Sequence, residues 1–254
     1  MSDSLAIETR GLGKSYGDFV ALADLDLRVR RGSLTGFVGP NGAGKTTTFK
    51  LLAGLMRPTA GTATILGYDV QQHPVEVKRQ LGILFDDTGL YEHLTPREFL
   101  RFIGGAFGLD PATLVDRSAR LLDFLSLADK QDALCRELSL GMRKKLELAA
   151  ALLHDPALLL LDEPFTGIDP IDARVVKDVL RDRVARGATV LLSSHVLETI
   201  ETLCDEVAIV DGGRLVAHGP VAGLRDRVQA EPGSSLESIF LALVDTRRER
   251  STLW

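Results

Sequence analysis

A glycine-rich stretch at residues 39–47 holds the residue types that bind the phosphates of a nucleotide. It fits the pattern G-x-x-x-x-G-K-[ST], in which glycines let backbone N–H groups approach phosphate oxygens and a following helix adds positive partial charge. Lys45 can reach the β- and γ-phosphates, and the Thr46 hydroxyl can ligate Mg²⁺. We therefore predict a site for a nucleoside triphosphate formed by Gly39, Pro40, Asn41, Gly42, Ala43, Gly44, Lys45, Thr46 and Thr47.

Two acidic residues after a run of four leucines form a second candidate group. Leu158–Leu161 has the character of a buried strand, and Asp162 and Glu163 follow it directly. A carboxylate at the C-terminal end of a buried parallel strand lies where Mg²⁺ beside a triphosphate needs a ligand, which assigns Asp162 to the metal. Glu163 is placed to orient or deprotonate a water molecule against the γ-phosphorus. Both predictions depend on the phosphate loop, because an isolated Asp-Glu pair is more often a pair of surface acids.

The apolar pattern predicts the elements that must position these residues. Leu34–Val38 before the glycine-rich stretch reads as a buried strand, and residues 47–52 after it read as a helix. Short apolar runs over residues 5–38 are typical of antiparallel strands. Further strands are predicted at 62–66, 157–161, 188–193, 206–210 and 214–217, and helices at 172–186 and 196–204. This alternation predicts an α/β fold with a phosphate-loop NTPase core, a mostly parallel sheet and an N-terminal antiparallel β subdomain.

The stretch from about residue 87 to residue 155 differs from its flanks in the spacing of its apolar residues. Apolar residues recur there at helical spacing, at 96–107, 112–127 and 139–153, which predicts a helical subdomain inserted into the α/β core. We predict one main domain over residues 1–230 that includes this insertion. Residues 231–254 are expected to form a helical extension from Ser235 to Val244 and a tail that frays from Thr246.

The amino-acid composition indicates which kind of protein this chain is and which partners it can be expected to bind. The 254 residues include 45% apolar and 26% charged residues, as in ordinary globular proteins, and the net charge of −5 predicts no nucleic-acid partner. The two cysteines lack C-x-x-C spacing, which indicates a reduced, intracellular chain. The N-terminus lacks the pattern of a secretory signal, and the longest apolar runs are too short to cross a bilayer. We therefore expect a soluble chain that reaches any membrane through a partner.

A short motif between the two candidate groups carries a family resemblance. Residues 138–142, Leu-Ser-Leu-Gly-Met, resemble the signature usually written L-S-G-G-Q. With the phosphate loop and the Asp-Glu strand around it, the chain resembles the nucleotide-binding subunit of an ATP-binding-cassette transporter over roughly residues 5–220. In that family the signature contacts the γ-phosphate of ATP held by the opposite subunit. The resemblance implies this role for Ser139 and Gly141, although Ser139 by itself fits an ordinary helix N-cap.

Three further residues fall in the order that the family shows. Tyr16 matches an aromatic residue that stacks on adenine, although a plain strand-end tyrosine is an alternative. Asp169, in Thr166-Gly167-Ile168-Asp169, matches the loop that contacts the second subunit, with a simple turn before Pro170 as the alternative. His195 matches the switch histidine that contacts the γ-phosphate. The resemblance thus implies catalytic roles for Glu163 and His195 and cofactors ATP and Mg²⁺.

Three departures from the family pattern affect the predicted site. Asp86, or Asp87 in another register, stands where the family usually has a glutamine that reaches Mg²⁺ and the attacking water. An aspartate can ligate the metal, so Asp86 is a candidate ligand, but its charge beside the phosphates leads to the hypothesis of slower or more partner-dependent turnover. Leu140 and Met142 replace Gly and Gln in the signature. Phe165 replaces a small hydroxyl residue, with a consequence that the sequence does not reveal.

The variant motifs resemble the branch of the family that exports drugs, antibiotics or lipids through separate permease chains, known as the ABC-2 type. Three stretches carry this resemblance: the variant signature at residues 138–142, the tripeptide Gly89-Leu90-Tyr91 and the late segment 235–240. The resemblance implies a cytoplasmic chain at the inner face of the cell membrane, bound to an integral-membrane permease and to a second ABC subunit of the same or another kind. An ATP-driven assembly or interaction module with no transport role remains the alternative. A binder that holds ATP without hydrolysing it conflicts with the presence of Glu163 and His195.

Overall fold

The computed structural model describes residues 4–85, 89–227, 231 and 234–251. Its strands are β1 (Leu5–Tyr16), β2 (Phe19–Leu25), β3 (Arg28–Arg30), β4 (Leu34–Val38), β5 (Ala60–Ile65), β6 (Tyr68–Asp69), β7 (Leu81–Leu84), β8 (Leu158–Leu161), β9 (Thr189–Ser193), β10 (Glu206–Asp211) and β11 (Arg214–Gly219). Its helices are α1 (Lys45–Leu52), α2 (Pro74–Gln80), α3 (Pro96–Ala106), α4 (Pro111–Phe124), α5 (Leu140–Leu152), α6 (Pro170–Ala185), α7 (Leu197–Leu203), α8 (Val221–Arg227) and α9 (Leu236–Ser251). Short 3₁₀ turns lie at Ala128–Lys130 and Cys135–Glu137.

The strands form two sheets. A six-stranded sheet has the order β11-β10-β4-β9-β8-β7, and its pairs are parallel except for β10 with β11. A five-stranded sheet has the order β2-β1-β5-β6, with β3 also paired to β1, and all its pairs are antiparallel. The predicted α/β class, with a mostly parallel core sheet and an N-terminal antiparallel sheet, is confirmed.

The parallel sheet is buried on both faces, which explains its unbroken apolar strands. Every residue of β4, β8 and β9 is buried. On one face, α1 packs between the two sheets, and the rings of Phe37 and Phe49 lie 5.9 Å apart. The other face packs against the remaining core helices, including α3, α5 and α6. The core thus holds the strand ends at one edge in a fixed order.

The predicted helical insertion is present as α3, α4 and α5. Thr95 begins α3 with a capping box to Glu98, and the Asp110 side chain caps α4 by accepting from the Thr113 N–H. Helix α5 lies close to β7, since a Cβ built on Gly82 would be 2.2 Å from the Ala151 carbonyl oxygen. The domain limits at residues 1–230 and 231–254 stay a prediction.

Some elements differ from the expectation. Leu34–Val38 was expected at the end of an antiparallel run, and it instead pairs in parallel with β9 and β10. The sequence reading missed β6 and α2, each seven residues or shorter. Helix α9 extends to Ser251, past Val244 where the predicted helix ends, and the predicted fraying from Thr246 stays a prediction. Among the described residues, no helix combines the length and apolar character that a membrane span requires.

Two positions of α4 test whether the inserted helices share the core. Leu122 is 2% exposed and belongs to the core cluster, whereas Val115 on the same helix is 71% exposed. We expect Leu122→Ala to lower the free energy of unfolding by about 2–5 kcal/mol because it leaves a cavity. We expect Val115→Ala to change it by less than about 0.5 kcal/mol. Chemical denaturation of both variants checks this, and equal effects would contradict the assigned packing.

Candidate active site

The predicted phosphate loop connects the end of β4 to the start of α1. Gly44 has a φ of +97°, and a Cβ built on it would lie 2.7 Å from the Ala21 carbonyl oxygen. A Cβ on Gly39 would lie 2.3 Å from the carbonyl oxygen of Val210. Within the described part of the chain, no side chain caps the N-terminus of α1. The loop therefore leaves no room for side chains at these glycines, and it presents the first turn of α1 uncapped, as an anion site requires.

The Lys45 ammonium lies over the loop that precedes it. Its Nζ donates to the carbonyl oxygens of Gly39 at 2.7 Å and Pro40 at 3.2 Å. Burial lowers the pKa of Lys45, while the nearby carboxylates of Glu163 and Asp162 act in the opposite direction. The side chain is thus a cation held close to two acidic groups at the mouth of the loop.

Asp162 is at the centre of a hydrogen-bond network. It is 1% exposed, and its two carboxylate oxygens accept from Thr46 Oγ1 at 2.7 Å and from Ser193 Oγ at 2.5 Å. Ser193 Oγ also accepts from the Glu163 backbone N–H at 2.9 Å. One hydroxyl at the end of β9 therefore fixes both acidic residues that follow β8.

Glu163 and His195 are in direct contact. His195 Nδ1 lies 2.8 Å from Glu163 Oε2, and the His195 side chain is 64% exposed while that of Glu163 is 16% exposed. Glu163 has a φ of +51°, a left-handed conformation that costs energy for a residue with a side chain. The surrounding hydrogen bonds hold this conformation, and they aim the carboxylate at the imidazole.

A cavity of about 320 Å³ joins these residues to the tip of the first hairpin. Its lining comprises Tyr16, Phe19, Ala21, Asn41, Gly42, Gly44, Lys45, Thr46, Thr47, Asp162 and Glu163. The Tyr16 hydroxyl lies 2.9 Å from Met56 Sδ, and Lys14 Nζ lies 5.2 Å from the centre of the Tyr16 ring. Most predicted nucleotide and metal residues therefore surround one space.

The sequence reading missed Phe19 and the role of Ser193. Phe19 is directly opposite Tyr16 in the β1–β2 pairing, at the end of a two-residue turn. The pattern Tyr-Gly-Asp-Phe between two apolar runs was a signal for this hairpin, and hence for two aromatic residues at its tip. Ser193 had no comparable signal, because its two hydrogen bonds reach residues about thirty positions earlier in the chain.

The other predicted residues form a second group, away from the cavity lining. Ser139 caps α5 by accepting from the Met142 N–H at 3.3 Å. Asp169 caps α6 by accepting from two backbone N–H groups, chiefly that of Asp172, and these hydrogen bonds lower its pKa. A Cβ on Gly141 would be 2.7 Å from the Gly167 carbonyl oxygen. The signature loop thus packs directly against the loop that carries Asp169.

Leu140 and Phe165, which depart from the family pattern, both make contacts within the fold. The Leu140 side chain lies over Gly167, and it is 54% exposed. Phe165 packs against the main core, and Lys177 Nζ is 5.7 Å from its ring centre. The predicted metal ligand Asp86 and its alternative Asp87 lie outside the described residues.

The donor set around Asp162 fits Mg²⁺. A hydroxyl and a carboxylate, already 2.7 Å apart, supply the oxygen ligands that this cation prefers. Mg²⁺ usually completes its shell with water and substrate phosphates, and the uncapped start of α1 lies beside these two oxygens. The arrangement can therefore hold a metal–triphosphate pair next to the Glu163 carboxylate.

Two glycines of the loop provide a matched test of its packing. Gly42 and Gly44 both have positive φ, but a Cβ on Gly42 would meet nothing within 4 Å. Alanine at either position is strained, and only Gly44→Ala also forces a side chain against the Ala21 backbone. We expect Gly44→Ala to lower the free energy of unfolding by about 1–3 kcal/mol more than Gly42→Ala does. Denaturant titration measures this difference, and equal losses would refute the close approach.

Comparisons with known proteins identify the family of this chain. Residues 22–166 match the family described as ABC transporter. The chain is 38% identical to the Nod factor export ATP-binding protein I of Cupriavidus pinatubonensis over 95% of its own length and 74% of that protein. It is 39% identical to the daunorubicin/doxorubicin resistance ATP-binding protein DrrA of Streptomyces peucetius, over 98% of this chain and 74% of that one.

A solved structure agrees with the fold. The structure described as the ATP-binding subunit of an ABC transporter matches with a TM-score of 0.89 and 34% identity, over 94% of this chain and 99% of the other. The predicted resemblance to the exporting branch is confirmed by the relatives. The chain belongs to the ABC transporter family and is one of its ATP-hydrolysing subunits.

Proposed function

We propose that this chain hydrolyses ATP to power a separate membrane permease, and that the transporter exports a drug-like, antibiotic or lipid substrate. The observation that carries the catalytic part is the network of Asp162, Ser193, Glu163 and His195 beneath the phosphate loop. The relatives named for export of Nod factor and for daunorubicin/doxorubicin resistance support the transport part. Since the cargo path lies in the permease, the cargo is proposed only as a class.

The residues of the site have separate proposed tasks. Lys45 and the loop glycines bind the β- and γ-phosphates, and Thr46 with Asp162 holds Mg²⁺. When held there, Mg²⁺ would supply positive charge that offsets the charge developing on the phosphate oxygens. Glu163 accepts a proton from, or orients, the attacking water, and His195 contacts the γ-phosphate from the adjacent strand end. Tyr16 stacks on the adenine, and Phe19 borders the same space.

The position of Ser139 supports a dimer. Ser139, Gly141 and Asp169 do not line the cavity of their own chain. Two chains packed head to tail would place Ser139 of one chain, at the N-terminus of α5, against ATP held by the other. Each of two ATP molecules would then lie between a phosphate loop and a signature loop. The second subunit is either a copy of this chain or a related chain.

An apolar groove supports a permease partner. It has a volume of about 340 Å³ and lies between β7 and the inserted helices α3 and α5. Phe85 and Gly89, which flank the undescribed residues 86–88, are in its wall, as is Phe107. The exposed rings of Tyr91 and Phe102 are in edge contact nearby. An exposed apolar surface of this kind is typical of a protein interface. We propose that the permease binds here and holds the chain at the inner face of the membrane.

The proposed function is tested by trapping the ATP-bound complex. Glu163→Gln removes the proposed base but retains the shape of the side chain, so we expect ATP-driven dimerisation to persist and turnover to fall at least 100-fold. Tagged Glu163→Gln protein is purified from solubilised host membranes with ATP and Mg²⁺, and co-purifying proteins are identified by mass spectrometry. Lys45→Ala protein, which should not hold ATP, is the control.

A stoichiometric polytopic membrane protein, present with Glu163→Gln and absent with Lys45→Ala, is the expected result. A soluble partner alone would replace the transport proposal with the assembly-module alternative. An unchanged ATPase rate in Glu163→Gln, measured with the partner present, would refute the catalytic assignment.

Ser193→Ala tests the shared hydroxyl. We expect it to lower ATPase activity, or the affinity for Mg²⁺ at fixed ATP, by about 10- to 100-fold, because the positions of Asp162 and Glu163 both depend on Ser193 Oγ. The measurement is the ATPase rate as a function of Mg²⁺ concentration. Ser118→Ala, which removes another buried hydroxyl in α4, is the matched control and should behave as wild type. A wild-type ATPase rate together with wild-type Mg²⁺ dependence in Ser193→Ala would show that the hydroxyl has no positioning role.

A further inference from the structure

A second large cleft lies at the opposite edge of the parallel sheet from the candidate active site. It has a volume of about 540 Å³, and it lies between α4 and α6 beside the starts of β8 and β9. Its lining shares no residue with the cavity at the phosphate loop. Asp162 follows the end of β8, so the length of that strand, about 13 Å, separates the two sites.

The cleft is strongly basic in an acidic chain. Four arginines line it, and one aspartate opposes them, which gives the lining a net charge of +3 where the whole chain carries −5. Helix α4 supplies Arg117 and Arg120, helix α6 supplies Arg183, and Arg186 directly follows the end of α6. Positive groups from two separate parts of the fold therefore converge on one space, with Leu121 and Leu152 beside them.

The inner pair of arginines is held in place. Arg183 donates to the Asp155 carboxylate and to the Pro156 carbonyl oxygen, the latter at 3.1 Å. Arg117 donates to the Leu153 carbonyl oxygen at 3.1 Å and lies 4.0 Å from the same Asp155. The buried Nε of Arg183 has no hydrogen-bond partner within the described part of the chain. A buried donor without a partner is rare, and it is expected where water or an ion is bound.

The outer pair is exposed and forms ion pairs with nearby residues of the chain. Arg120 and Arg186 are 78% and 71% exposed, and each pairs with an aspartate one turn earlier on its own helix, Asp116 and Asp182. Exposed pairs of this kind contribute little to stability, and their arginines can turn towards another anion. The cleft thus combines two positioned guanidinium groups with two that can close over a ligand.

We propose that this cleft binds a small anion that carries several phosphate groups. Guanidinium groups match phosphate oxygens through paired N–H donors, and a multivalent anion makes use of four arginines where a single carboxylate cannot. The volume is in the range of small-molecule sites. The bound anion contacts α4 of the inserted helical region and α6 of the core, so it links the two. This proposal is independent of the transport function and of ATP hydrolysis.

The test is calorimetric titration of inorganic tripolyphosphate at low ionic strength. All proteins carry Lys45→Ala, which weakens phosphate binding at the phosphate loop. In that background, Arg120→Gln/Arg186→Gln is compared with the unmodified cleft. The matched control is Arg10→Gln/Arg97→Gln, which removes two exposed, ion-paired arginines outside the cleft and changes the net charge equally. Thermal melting checks that each variant is folded.

The expected result is one saturable site per chain, with a Kd at least tenfold higher in Arg120→Gln/Arg186→Gln and within twofold of the unmodified cleft in the control. If Lys45→Ala prevents folding, the same titrations with Lys45 present should show two sites per chain, of which the cleft variant loses one. The absence of saturable binding to the unmodified cleft, or equal weakening in the cleft and control variants, overturns the proposal.

Discussion

The buried carboxylate of Asp162 is the constraint around which the site is organised. A charge with 1% exposure costs several kcal/mol unless it is paired and hydrogen-bonded. Thr46 and Ser193 meet this requirement, one from the start of α1 and the other from the end of β9. They can do so only because β4, β9 and β8 are adjacent and parallel, so that their C-terminal ends lie at one edge. The strand order is therefore a condition of the chemistry.

The antiparallel sheet contributes to the same site through its backbone. The phosphate loop lies against the Ala21 carbonyl on one side and the Val210 carbonyl on the other, at distances that exclude a Cβ. The hairpin that contains Ala21 also carries Tyr16 and Phe19 at its tip. The close approach of Gly44 to Ala21 thus positions the phosphate loop relative to Tyr16 and Phe19, the residues proposed to border the adenine.

Contacts between two loops connect the two groups of functional residues. Gly141 packs against Gly167, and Lys145, which is 5% exposed, forms a 2.6 Å ion pair with Asp172. These contacts join the helix that Ser139 caps to the segment that follows Glu163 in the chain. In the proposed dimer, Ser139 and Glu163 of one chain contact different ATP molecules. The contacts therefore provide a physical basis for coupling the two sites.

Features that depend on local pattern could be predicted without a structure. The phosphate loop, the Asp-Glu pair after four leucines and the helical insertion were all readable, because glycine conformation, strand burial and helical periodicity are expressed over short stretches of chain. The family resemblance added roles for Ser139, Asp169 and His195, which no local pattern supplies. These roles remain proposals.

Tertiary structure alone decided the features that join distant residues. Ser193 forms hydrogen bonds with residues about thirty positions away. Strand β4 pairs in parallel with β9 and β10 and not with the antiparallel strands before it, because pairing depends on which strands become neighbours in the fold. The basic cleft arises in the same way, since α4 and α6 are separated in the sequence and meet beside Asp155. A one-dimensional pattern records spacing along the chain, whereas these sites depend on distances across the folded core.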